Sequence, residues 1–167
     1  MPDHLDELFE EVLRENKQRI YRICGAYARD QEDRQDLFQE VLLNVWKSLG
    51  SFQGKANVNT WLYRVTLNVC LQYALKLNRQ QKQEVRLQHV RLVADSADAG
   101  EETEKKEKVA MLYRCIARLN ETDRTLILLF LEELPHREIA EVIGITENNV
   151  SVRLNRIKKR LYHCLTR

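Results

Sequence analysis

A chain of 167 residues carrying 31% charged and 44% apolar side chains is long enough for two small folded cores. It has no run approaching the roughly 18 apolar residues that a membrane span needs. Its opening, MPDHLDELFEE, is acidic, which excludes the basic start of a secretory signal, so a cytoplasmic protein without membrane insertion is expected.

With only 5 Gly and 2 Pro, the composition suits a helical protein better than turn-rich β-structure. Cys24, Cys70, Cys115 and Cys164 are isolated, with no CxxC pair, so reduced and mostly buried thiols are expected, with redox sensing the lesser alternative, and no metal or cofactor. The net charge of +2 hides a segregation. Residues 1–50 sum to −4, residues 60–91 to +5, residues 95–107 to −4 and residues 147–167 to +5. Two separated basic zones give a polyanion two places to bind.

In chain order, residues 5–28 read as an amphipathic helix with Leu5, Leu8, Phe9, Val12, Ile20, Ile23 and Tyr27 on its apolar side. DQEDRQD interrupts the pattern, and Leu37 to Leu49 resumes it. Leu37, Phe38, Val41, Leu42, Val45 and Leu49 share one broad face; Asp36, Gln39, Glu40 and Lys47 lie opposite, with Leu43 among them. A leucine inside a polar face suits a protein contact, although single exposed leucines are also common.

Ser51 to Asn59 (SFQGKANVN) is a polar loop, followed by a helix from about Thr60 to Leu77. Trp61, Arg64, Asn68 and Gln72 fall on one of its faces, beside a core stripe of Leu62, Val65, Val69 and Tyr73. With Phe52 nearby, this face suits unpaired bases, because aromatic rings stack on bases and amides read their edges. Residues 79–108 are polar, then acidic and rich in small residues, and are expected to form a flexible charged linker. A second helical domain follows from about Val109, with Asn120 as a helix cap and LILLFL, Leu126 to Leu131, central to its core.

LPHREIAEVIGITENNVSVRLNRIKKRL closes the chain as a helix-turn-helix. Ala140 lets the helices approach, Gly144 takes the turn and Val150 closes the corner. Thr146 caps the second helix, and Val150, Leu154, Ile157 and Leu161 form its buried stripe. Asn148, Asn149, Ser151, Arg153, Asn155, Arg156, Lys158 and Lys159 then face outward, where amides and arginines can reach base edges and lysines can hold phosphates.

Three of these stretches, in the same order, resemble the extracytoplasmic-function (ECF) type of bacterial sigma-70 factor. DLFQEVLLNVW is similar to the family's segment for core RNA polymerase, FQGKANVNTWLYRVTLNV to its −10 reader, and the closing helix-turn-helix to its −35 reader. The resemblance implies an all-α, non-catalytic specificity subunit. Its units would be residues 1–78 for polymerase binding and −10 melting, a 79–108 linker, and residues 109–167 for the −35 element. It implies polymerase contacts by Asp36, Gln39, Glu40, Leu43 and Lys47. Phe52, Lys55, Asn57, Asn59, Trp61, Arg64, Asn68 and Gln72 would meet the −10 strand. Arg137, Thr146, Asn148, Asn149, Ser151, Arg153, Asn155, Arg156, Lys158 and Lys159 would meet the −35 duplex. Core RNA polymerase, promoter DNA and an anti-sigma protein are the implied partners.

Two other classes compete. A free-standing helix-turn-helix regulator would leave the Trp61–Gln72 face and Leu43 unused and lacks an obvious dimer helix for palindromic half-sites. A helical carboxylate metal enzyme would rest on Glu133 and His136 alone, with Pro135 breaking the helix between them.

Overall fold

The computed structural model describes residues 2–52, 54, 57–80 and 103–167. Among these it contains seven α-helices and no strand: α1 (Pro2–Gly25), α2 (Gln31–Leu49), α3 (Val58–Gln80), α4 (Thr103–Ala117), α5 (Glu121–Leu131), α6 (His136–Ile143) and α7 (Glu147–Leu165). The expected all-α class is the observed one.

Helices α1 to α3 form the first unit. In α2, Leu37, Val41, Val45 and Leu49 recur every fourth residue, and all are buried against α1 and α3. Asp30 caps α2 by accepting from the Asp33 backbone N–H at 2.8 Å. The helix therefore begins at Gln31, and the polar DQEDRQD stretch supplies its cap and first turns rather than a break. Arg34 is a cation inside this unit. Its Nε donates to the Tyr21 carbonyl at 3.0 Å, and its guanidinium lies 3.8 Å from the centre of the Tyr21 ring. Gly25 makes room for it, since a Cβ there would stand 3.0 Å from Arg34 Nε and Cζ. A second buried polar group, Asn16, donates to the Val12 carbonyl and to Asn59 Oδ1 and accepts from the Tyr63 hydroxyl, so it is satisfied where it sits.

Helices α4 to α7 form the second unit. Asn120 caps α5 through the Asp123 N–H at 2.8 Å, and Thr146 caps α7 through the Asn149 N–H at 3.1 Å. Gly144 ends α6 at φ +85°, the left-handed conformation that makes the turn, and its N–H returns to the Ala140 carbonyl at 2.8 Å. Val150, Leu154, Ile157 and Leu161 are buried, as the stripe requires.

Two expectations change. Residues 103–108, read from sequence as the end of the linker, are the first turns of α4; most of the remaining linker lies outside the described residues. Cys115 and Cys164 are not free thiols but form a disulfide. Forty-nine residues separate them in sequence, yet the last turns of α4 and α7 lie side by side, with the two Cα atoms 6.0 Å apart. Cys24 and Cys70 are free and buried, as expected.

Candidate polymerase and nucleic-acid interfaces

On α2, Leu43 is 56% exposed, among exposed Asp36, Gln39, Glu40 and Lys47. Trp46 adds a second large apolar group, 44% exposed, three residues on from Leu43 and edge-on to Phe9 at 5.3 Å. The sequence reading passed over Trp46. Its spacing from Leu43 was the available signal, since side chains three residues apart share a helix face. Together they make an apolar spot ringed by charge, the shape of a protein contact.

The second candidate surface is the start of α3. Phe52 packs against Trp61 with ring centres 5.2 Å apart. Asn57 caps the helix, its Oδ1 accepting from the Asn59 N–H at 2.9 Å. Asn59 turns inward onto Asn16, and Lys55 lies outside the described residues. Arg64, Asn68 and Gln72 are exposed in a row along the helix. Arg64 is engaged, however: its Nε and Nη2 both donate to the Glu141 backbone carbonyl of α6. Asn68 lines a cavity of about 320 Å³ between α3 and the second unit, with Leu67, Leu71, Thr125 and Val142.

More contacts join the two units. Arg22 holds Glu132 through two nitrogens, at 2.7–3.1 Å, with the Glu132 side chain only 9% exposed. The Tyr27 hydroxyl meets Thr125 Oγ1 at 3.2 Å in a buried position, and Thr60 donates to Glu141 Oε2 at 3.2 Å. Nothing in the hydrophobic periodicity of either unit announced this docking.

The third surface is α7. Asn148, Val152, Asn155 and Lys159 recur at i, i+4, i+7 and i+11 in one exposed row. Beside it, Arg153, Arg156 and Arg160 line a polar cavity of about 300 Å³ with Asn120, Thr122 and Asp123 at the start of α5. Arg160, absent from the sequence reading, lies 3.6 Å from Asp123 and continues the Arg153–Arg156 stripe by one turn. Asn149 is exposed at the start of the helix, and Arg137 is exposed on α6, 3.8 Å from Glu141. Three expected contact residues are partly occupied within the protein. Thr146 spends its oxygen on the cap, Ser151 Oγ meets His136 Nδ1 at 3.1 Å, and Lys158 Nζ sits 4.3 Å from the centre of the Phe130 ring.

With that geometry in place, comparison with known proteins decides the family. The profile described as Sigma-70 region 2 matches residues 12–80, and that described as Sigma-70, region 4 matches residues 110–161. The chain belongs to the sigma-70 family. Its curated relatives place it among the ECF sigma factors. ECF RNA polymerase sigma factor SigM of Mycobacterium tuberculosis (strain H37Rv) is 26% identical over 159 residues, covering 94% of this chain and 76% of that protein. RNA polymerase sigma factor SigV of Bacillus subtilis (strain 168) is 26% identical over 160 residues, covering 93% and 89%. The fold is similar to that of CnrH, solved in complex with the cytosolic domain of CnrY, at a TM-score of 0.68 and 18% identity over 96% of this chain and 89% of that one. The protein is thus an RNA polymerase sigma factor directing promoter-specific initiation, and its partners are core RNA polymerase and promoter DNA. No helix among the described residues is long and apolar enough to cross a membrane.

Proposed function

We propose that this sigma factor divides its work among the three surfaces in chain order, with units at about residues 1–78 and 109–167. The α2 patch of Leu43 and Trp46, with Asp36, Gln39, Glu40 and Lys47 around it, docks on core polymerase. The Phe52–Trp61 pair, with Asn57, Arg64, Asn68 and Gln72, takes up the unpaired −10 strand. Helix α7 enters the major groove at the −35 element. The row Asn148, Val152 and Asn155 reads base edges there, and Asn149 joins it from the first turn. The guanidinium groups of Arg153, Arg156 and Arg160 hold phosphates beside the start of α5, with Lys159 and the exposed Arg137 adding backbone contacts.

The observation that carries this reading is the exposed row on α7 standing over a fully buried Val150–Leu161 stripe. A helix that buries one side this completely and offers amides and an apolar side chain on the other is built to present that face. The chain acts as a specificity subunit in the cytoplasm and catalyses nothing itself; the chemistry of RNA synthesis belongs to the polymerase. An anti-sigma protein is a further partner, in line with the complexes in which its structural neighbours were solved.

The reading has a mechanical consequence. Arg64 serves the −10 strand only after letting go of the Glu141 carbonyl, so promoter engagement separates the two units. The test is promoter melting by reconstituted holoenzyme carrying Asn68→Ala with Gln72→Ala. Loss of open complexes with intact polymerase binding supports the assignment; no loss removes this face from it.

A further inference from the structure

The C-terminal unit holds a bond that promoter reading does not use. The Cys115–Cys164 disulfide closes a loop containing α5, α6 and nearly all of α7, and ties the last turn of α7 to the last turn of α4. That last turn has little else to hold it. Leu161 is its final buried apolar residue, Tyr162 beyond it is 71% exposed, and Leu165 is 36% exposed. The same helix carries Lys159, assigned above to the DNA backbone, one turn earlier.

The two sulfurs differ in access. Cys115 is 4% exposed in the core, whereas Cys164 is half-buried at the surface, with Arg118 Nη1 3.8 Å from its Sγ. A guanidinium at that distance favours the thiolate, which is the species that attacks and leaves in exchange. The other cysteine pair lacks this access. Cys24 and Cys70 are both fully buried, and the Cys70 thiol is pushed well above its ordinary range by its hydrogen bond with Cys24 and by burial. A protein that works beside DNA and polymerase sits where small thiols keep most cysteines reduced, and disulfides found there are typically transient and redox-sensing.

We propose that Cys164 and Cys115 form a redox-active site whose substrate is a low-molecular-weight thiol–disulfide couple, and that its state sets how firmly the −35 reader is held together. The second clause rests on the −35 assignment of α7. In the oxidising direction the Cys164 thiolate attacks one sulfur of a small disulfide, RSSR, and expels RS⁻. The Cys115 thiolate then attacks the Cys164 sulfur of the mixed disulfide and expels the second RS⁻. Two cysteine thiols lose two electrons, RSSR becomes two RSH, and the two cysteine protons end on the released thiolates. Reduction runs the same steps backwards and frees the end of α7.

The experiment equilibrates the full-length protein in glutathione buffers of graded ratio, with alkylation and peptide mapping of each cysteine. Thermal melting and −35 duplex binding are followed alongside. Cys115 and Cys164 are expected to titrate together and reversibly, while Cys24 and Cys70 stay unmodified in the folded chain. Reduction is expected to lower the melting temperature by about 10 °C and to weaken duplex binding. A Cys115→Ala, Cys164→Ser chain should lose these responses. Because that variant could fail to fold, the titration of the unaltered chain stands on its own. Thiols that stay free in fully oxidised glutathione overturn the proposal, as does a bond that resists excess reduced glutathione or a double variant that responds like its parent. If duplex binding is absent in both redox states, the −35 assignment fails, and thiol titration with melting still decides the redox site.

Discussion

Arg64 and Glu141 join the two helical units of this sigma factor: the guanidinium on α3 donates twice to the backbone carbonyl on α6. The side chain proposed for the unpaired strand is held by α6, the helix that precedes the proposed duplex reader. The joint is reinforced by Arg22 and Glu132, the latter almost fully covered. Glu132→Gln keeps the shape of the side chain and removes its charge. It should weaken the joint by about 1 kcal/mol, a modest figure because Arg22 is half-exposed. Hydrogen exchange along α6 and at the start of α3 should speed up, and an unpaired −10 oligonucleotide should bind the isolated factor more tightly. Unchanged exchange at both places would mean that the ion pair does not hold the joint.

Leu43 tests the polymerase surface. At 56% exposure, its replacement by Glu should leave the melting temperature nearly unchanged. Affinity for core polymerase should fall by roughly 1–3 kcal/mol, the range for an anchor at the centre of an interface. Trp46→Ala is a poorer probe, since its ring also packs on Phe9. A Leu43→Glu protein that melts early would show that the leucine is needed by the fold.

Gly144→Ala probes the corner of the helix-turn-helix. A Cβ there would meet nothing within 4 Å, so the whole effect comes from holding a left-handed φ of +85°. Destabilisation of about 1–2 kcal/mol is expected, read by denaturant unfolding. An equal or greater loss for Gly50→Ala, which has φ −63° and equally open space, would contradict this account.

Asp33 gives the first unit an acid sensitivity. Its carboxylate accepts from Arg29 Nε at 2.5 Å and from the Tyr73 hydroxyl at 2.6 Å, and the Arg29 hydrogen bond is the main reason its pKa lies below the ordinary 3.8. A depressed folded pKa means that the stabilisation is present above the ordinary value and drains away as pH falls through the folded one. The melting-temperature gap between the parent and Asp33→Asn should therefore be widest near neutral pH and close in acid. A gap that does not change with pH would assign the effect to shape alone.

Much of this fold was legible in the sequence because amphipathic helices announce themselves. The four-residue spacing in Leu37–Leu49 and the Val150–Leu161 stripe are periodic signals, and Gly144 and Asn120 mark ends by local chemistry. The α3 row of Arg64, Asn68 and Gln72 was legible for the same reason. What stayed hidden depends on tertiary placement. Cys115 and Cys164 meet because two helix ends come together, which spacing does not encode. The Arg22–Glu132 and Arg64–Glu141 contacts join residues 77 or more positions apart with no pattern linking them. Ser151 and Lys158 look free on a helical wheel, yet they face His136 and Phe130 on neighbouring elements.

The most direct test of the central claim is transcription from a randomised promoter library by purified core polymerase, with parent factor, Asn155→Ala or Arg160→Ala. The parent is expected to select two separated elements, one near the start site and one upstream. Asn155→Ala should relax preference at one position of the upstream element, whereas Arg160→Ala should lower output from all promoters and reduce the salt dependence by about one unit. A parent that selects no upstream element, or two variants that differ from it only in overall output, would contradict sequence reading by α7.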